Sequence, residues 1–263
     1  MIRLSLATLC VAAGLTAAAT ARADMIAVSY NAPGVQSAIG AGATVIGVET
    51  FDSRPLGTGG FVTNFGTGGA IVGTYSAGAQ IQNADLYGGA GGTGRYVSAL
   101  SGNGGYTLSL ATHGIPGVNY FGFWLSALDA GNELDLLRGG RVVGTYRPAE
   151  LLDVVGACPG ASHYCGNPTR AFRGQDAHEP FAFVNLLDTS GYFDAVRFRE
   201  TPAVGIYESD NHTVGYFAHT ASSLPDAAVP EPASLAVIGA GLLGLVTARR
   251  RRRALASRAA ART

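Results

Sequence analysis

Short runs rich in Val, Ile, Thr, Tyr and Phe alternate along the chain with clusters of Gly, Asn, Asp and Ser. Outside the two ends, only residues 147–155 offer the start of a helical stripe. A chain punctuated this way cannot bury a helix face and must bury pleated strands. The spacing predicts strands over 43–51, 70–76, 96–99, 106–110, 120–128, 133–137, 141–146, 181–187, 194–200 and 213–218. So many short strands within one body, residues 24–228, predict an all-β fold of two packed sheets. Glycines crowd residues 34–105, as in the run 88–94, and read as loops. None of these loops precedes a helix or carries Lys-Ser/Thr, so they do not predict a nucleotide site.

The ends differ from the body in charge. The formal net charge is zero, from 18 basic and 18 acidic residues, yet the charges are segregated. Nine arginines lie near the ends, and the middle holds the other nine with all 18 acids, a charge of −9. An acidic body argues against nucleic acid as a partner. The chain has no lysine, which removes Schiff-base chemistry.

Residues 1–23 read as a secretory signal peptide: basic Arg3, an apolar stretch from Leu4, and the small-residue site Ala21-Arg22-Ala23 before Asp24. Cys10 leaves with the signal. Cys158 and Cys165 remain, and in an exported chain they predict a local disulfide. The alternative, a metal site with His163 and His178, lacks a C-x2-C spacing.

At the other end, Val229-Pro230-Glu231-Pro232 is a stiff, non-helical stop, followed by Ala233-Ser234 and an uncharged run to residue 248. Arg249, Arg250, Arg251, Arg252 and Arg253 come next, and residues 254–263 form a short tail. The run, 233–248, reaches about 24 Å as a helix, short of a ~30 Å hydrocarbon core, and so predicts a marginal transmembrane anchor. The arginine cluster stays cytoplasmic, which leaves the body outside. Within the run, Gly239-Ala240-Gly241-Leu242-Leu243-Gly244 spells a dinucleotide fingerprint without its strand, βαβ context or acidic partner. Small residues at that spacing instead suit close helix contact.

The order Pro-Glu-Pro, short apolar helix, arginine cluster resembles the PEP-CTERM sorting signal, over residues 229–253. The resemblance implies recognition by an exosortase, which cuts near the Pro-Glu-Pro. It also implies a destination at the cell surface or in an exopolysaccharide matrix, while the signal segment predicts earlier passage through the Sec translocon and signal peptidase and the apolar run an inner-membrane intermediate. The stretch from Tyr120 to Gly144, with Gly191 to Phe198 and Glu208 to Val214, is similar to bodies of exosortase-dependent surface proteins. That second resemblance implies a jelly-roll-like β-sandwich and carries no catalytic residues across.

On a strand, Phe121, Phe123 and Leu125 face one way and Tyr120, Gly122, Trp124 and Ser126 the other. Asp129 to Asn132 and Arg138 to Arg141 then predict turns, making residues 120–146 a three-stranded meander. Tyr120 and Trp124 are candidate sugar-stacking residues, against the plainer reading that both fill the second side of the strand. Glu49, Asp52, Glu208 and Asp210 are a candidate structural calcium set, if the first and last strands lie side by side, although no EF-hand loop is present. No other cofactor is expected.

Catalytic signatures are absent: no G-x-S-x-G, no H-E-x-x-H, and Asp188-Thr189-Ser190-Gly191 only resembles an aspartic-protease turn. The sequence therefore favours a non-catalytic, exported surface or matrix protein, with polysaccharide as a candidate ligand. The alternative is a secreted carbohydrate-active enzyme on the same scaffold, which needs two carboxylates about 5–10 Å apart in a cleft.

Overall fold

The computed structural model describes residues 25–38, 42–100, 102, 104–203 and 205–218. The signal-like segment 1–23 and the tail segments 229–253 and 254–263 lie outside the described residues. Strands β1 (Ile26–Tyr30), β2 (Val45–Glu49), β3 (Gly57–Thr58), β4 (Phe61–Phe65), β5 (Ile71–Tyr75), β6 (Ala79–Asn83) and β7 (Arg95–Leu100) form the first half. Strands β8 (Tyr106–Thr112), β9 (Tyr120–Ser126), β10 (Asn132–Arg138), β11 (Arg141–Tyr146), β12 (Ala182–Asp188), β13 (Ala195–Glu200) and β14 (Ile206–Tyr216) complete it. The helical stripe expected over 147–155 becomes a 3-10 turn, Pro148–Glu150, and one short helix, α1 (Leu151–Val155).

The larger sheet runs β1-β12-β9-β14-β7-β6-β3, with β2 also paired to β14, and the smaller runs β11-β10-β13-β8-β5-β4. All pairings are antiparallel. Phe121, Phe123 and Leu125 face the smaller sheet as the alternation predicts, and meet Leu134, Leu136, Val196 and Phe198 in one core. Aromatic edges lock that core: Phe198 lies 5.6 Å from Phe123 and 5.0 Å from Tyr207, ring centre to centre, both T-shaped.

The expected meander over 120–146 is corrected. Only β10 and β11 form a hairpin, while β9 belongs to the other sheet. Residues 127–131 carry the chain across the sandwich, with Ala127 at φ 46. Period-2 alternation places a strand's faces but is blind to which sheet it joins.

β14 is the longest strand, at 11 residues, and holds a bulge where its register against β9 shifts between Asp210 and Thr213. Asn211, at φ 49, takes the left-handed conformation there, one that Asn tolerates better than most residues. The extra residue reverses the alternation. Glu208 and Asp210 point away from the core, whereas His212 points into it.

Candidate functional site

The outward face of the larger sheet is not a solvent face. Glu208 lies in register between Ser98 of β7 and Ser126 of β9, and Asp210 lies opposite Trp124, itself paired with Phe183 of β12. Glu208, Asp210, Ser98, Ser126, Trp124 and Phe183 are all buried. Three loop segments lie over them: the stretch after β1, the β6–β7 connection, and the end of the long β11–β12 connection.

Hydrogen bonds tie this layer to the sheet and its segments to one another; the Tyr96 hydroxyl, for one, donates to Asp85. Ala90 donates its backbone N–H to Asp210 Oδ2 at 2.7 Å, and Gly91 donates its own to Gln36 Oε1 at 2.8 Å. Asn211 Nδ2 donates to the Gln36 carbonyl at 2.7 Å, and Asn167 Nδ2 to the Leu86 carbonyl at 2.9 Å. Gly92, at φ 71, sits so close to Thr169 that a Cβ there would lie 2.7 Å from its Oγ1. Glycine is needed at that contact for both reasons.

The face is acidic and short of counter-charge. Burial pushes the Glu208 carboxyl up to about 9, with Asp129, Glu179 and Asp85 adding to the shift. Its Oε2 is buried without a hydrogen-bond partner among the described residues. Burial likewise raises Asp210 to about 8, partly offset by the N–H groups of Ala90 and Asn211. Burial, with the neighbouring Asp176, also raises Glu179.

On the smaller sheet Asp135 and Glu133 are paired with arginines, whereas Glu200 at the end of β13 is raised to about 8 by burial and Asp129. Arg197 and Arg199 both reach Asp135 Oδ2, at 2.6 and 3.1 Å, while Arg199 and Arg147 hold Glu133. Burial alone would raise Asp135, but hydrogen bonds from Arg197 and Thr145 and the field of both arginines bring it below its ordinary value.

The family model for the PEP-CTERM protein-sorting motif matches residues 228–253. The chain carries a PEP-CTERM sorting motif. The match spans Val229, Pro230, Glu231, Pro232, Ala233, Ser234 and Arg249 to Arg253, the residues in which the sequence reading placed the signal. A PEP-CTERM motif implies an exported protein, held at the membrane and then processed by an exosortase. No curated protein and no solved structure matches the chain. No helix among the described residues is long and apolar enough to cross a membrane.

In this PEP-CTERM chain the candidate sugar-stacking residues are corrected. Tyr120 and Trp124 are each 1% exposed. Tyr120 donates its hydroxyl to Asn185 Oδ1 at 2.7 Å and packs on Phe217; Trp124 packs on Phe181. Neither ring offers a face to a sugar, because the loop layer adds a second packed surface that the sequence pattern does not announce.

The calcium candidates come only partly together, with Asp52 and Glu49 both acting on the Asp210 carboxyl. β2 does pair with β14, bringing Glu49 opposite His212. Yet Glu49 takes the Arg54 guanidinium and the Phe51 N–H, while Asp52 takes the Arg95 N–H at 2.9 Å. Among the described residues, no three His, Cys, Asp or Glu side chains gather as a metal ion needs.

Cys158 and Cys165 form a disulfide, so neither is free as a thiolate ligand. The loop they close borders a surface groove of about 620 Å³, lined by Pro33, Gly34, His163, Asn167, Pro168 and Arg173 among others.

Sequence reading missed a polar chain in the core. His212 Nε2 lies 2.9 Å from Ser209 Oγ and its Nδ1 lies 3.0 Å from the Tyr75 hydroxyl, while Tyr106 meets the same Ser209 at 3.2 Å. Burial pushes His212 down to about 3, and its ring stacks on Phe198 at 5.0 Å. Only the bulge could have revealed it, and a bulge leaves no mark in the hydrophobic pattern.

Proposed function

We propose that this is an exported bacterial surface or exopolysaccharide-matrix protein, delivered by an exosortase, whose β body is non-catalytic cargo. The observation that carries the reading is the sorting motif at residues 228–253. The signal-like segment 1–23 supports it at the other end, because both ends then specify one topology with the acidic body outside. On this reading the chain enters through the Sec translocon, loses residues 1–23, and pauses in the inner membrane on residues 233–248 before cleavage near Pro230-Glu231-Pro232.

A jelly-roll-like sandwich is part of the proposal. Its support is the repeated passage of the chain between sheets, at β7–β8, β8–β9, β9–β10, β11–β12, β12–β13 and β13–β14.

The non-catalytic reading rests on where catalysis-like groups are spent. Ser209 and His212, a serine and a base in contact, are both 0% exposed. Asp188 of the Asp-Thr-Ser-Gly turn caps that turn, accepting the N–H groups of Ser190 and Gly191 and a hydrogen bond from Arg138. No sugar contact is assigned to Tyr120 or Trp124.

Deleting residues 229–253 while leaving the signal segment intact tests the delivery. The truncated chain should be exported but lost from the surface fraction. Equal surface retention of truncated and full chains would contradict the proposal.

A further inference from the structure

The two ends of the body leave it at one end of the sandwich, and a run of hydrogen bonds joins them. Met25 donates its backbone N–H to Ser190 Oγ at 3.0 Å, and its carbonyl accepts the Thr189 N–H at 2.9 Å. Asp188, the residue before, donates its N–H to the Asn119 carbonyl at 2.8 Å. Asn119 in turn donates its side-chain Nδ2 to the Phe217 carbonyl at 3.0 Å and accepts the Phe217 N–H on Oδ1 at 2.9 Å. The chain before residue 25 and the chain after residue 218 therefore start from the same edge, where β12 stops and β9 begins.

That end presents an amphipathic patch. Met25, Val142 and Tyr192 are exposed, and β1 meets β11 beside them, with the Ile26 side chain against Gly144. Arg138 lies over the Tyr192 ring, 4.8 Å from its centre, and donates to the Tyr192 carbonyl and to Asp188. Arg141, across the turn Gly139-Gly140, is exposed. The acids of this end are engaged: Asp188 is buried beneath Arg138, and Asp194 accepts the Gly139 N–H at 2.7 Å. An aromatic ring with apolar neighbours and guanidinium groups at the rim suits the headgroup level of a bilayer.

We propose that this end of the sandwich, through Met25, Val142, Tyr192, Arg138 and Arg141, lies against the anionic phospholipid surface of the membrane while the sorting tail holds the chain there. The inference rests on the membrane-held intermediate proposed above. Fourteen residues, 219–232, separate the described body from the apolar run, and fully extended they reach at most about 50 Å. To turn the opposite end of the sandwich to the bilayer they would first have to run back along β14, about 33 Å for its 11 residues. From the near end there is no such path to cover. The two arginines favour an anionic headgroup layer, and Tyr192 favours the interface itself.

The exported chain, Asp24 to Thr263, reconstituted into vesicles of phosphatidylethanolamine and phosphatidylglycerol, tests the orientation. A benzoylphenylalanine photoprobe is placed at Tyr192 and, in a second preparation, at Ala203, which is exposed in the β13–β14 connection of the opposite end. Both chains should float with the vesicles, and irradiation should join lipid to the probe at 192 and not to the probe at 203. Arg141→Glu should still float and lose most of the lipid adduct at 192. Floating chains with equal adducts at both positions, or none at 192, would overturn the proposal and leave the membrane-held intermediate standing. An adduct at 192 that Arg141→Glu leaves unchanged would equally overturn docking on anionic headgroups. A chain that does not float would contradict the membrane-held intermediate, and the proposal with it.

Discussion

Ser209 and His212 stand three residues apart on one strand, yet the bulge between them turns both into the core, where Oγ and Nε2 lie 2.9 Å apart. With Tyr75 on the other ring nitrogen, the imidazole is fully hydrogen-bonded and uncharged. Its value of about 3 is below the ordinary 6.5, so the unfolded chain takes up a proton first as pH falls. The stability His212 contributes is complete above about pH 6.5 and is lost progressively toward pH 3. Relative to His212→Gln, the unmodified protein should lose urea resistance as pH is lowered from about 7 to about 4. A constant difference between the two would contradict a neutral, buried imidazole.

Trp124 acts in packing. Trp124→Ala removes a ring enclosed by Phe181, Ala127 and Phe183. The expected cost is about 3–5 kcal/mol in urea unfolding. Retention of the folded variant on polysaccharide should equal that of the unmodified chain. A variant of unchanged stability that loses retention would restore the stacking role.

The disulfide pins a loop. Cys158 and Cys165 are seven residues apart, so cross-linking them removes little freedom from the unfolded chain. Replacing both by Ser should cost at most about 2 kcal/mol and leave the far-UV spectrum of the sheets intact. Collapse of the whole fold on reduction would show that the bridge holds more than its own loop.

The sequence showed some of this architecture plainly and hid the rest for physical reasons. β9 was legible because Phe121, Phe123 and Leu125 alternate with smaller or more polar neighbours, and β11 because Gly139 and Gly140 mark the turn before it. β1 (Ile26–Tyr30) and β4 (Phe61–Phe65) do carry the β-formers of a strand, in short five-residue runs beside Gly- and Pro-containing loops. β6 was not legible, since Ala79–Asn83 carries only one strong β-former amid Gln and Asn. The lower half of β14 was hidden for the same reason: Glu208, Ser209 and Asp210 read as a polar loop, and only the covering layer makes them buried strand residues. That layer decides the site as well. Glu208 and Asp210 stood out as acids, but their enclosure depends on loops that join them from residues 36, 90 and 179, distances along the chain that no local pattern spans. The sorting motif was the opposite case, written entirely in consecutive residues.

The most direct test of delivery by an exosortase is the intact mass of the protein recovered from the surface of a producing strain with active exosortase. The account predicts a form that begins at Asp24 and lacks Arg249 to Arg253, ending near Pro230-Glu231-Pro232. A surface form whose mass still includes Arg249 to Arg253 would contradict it.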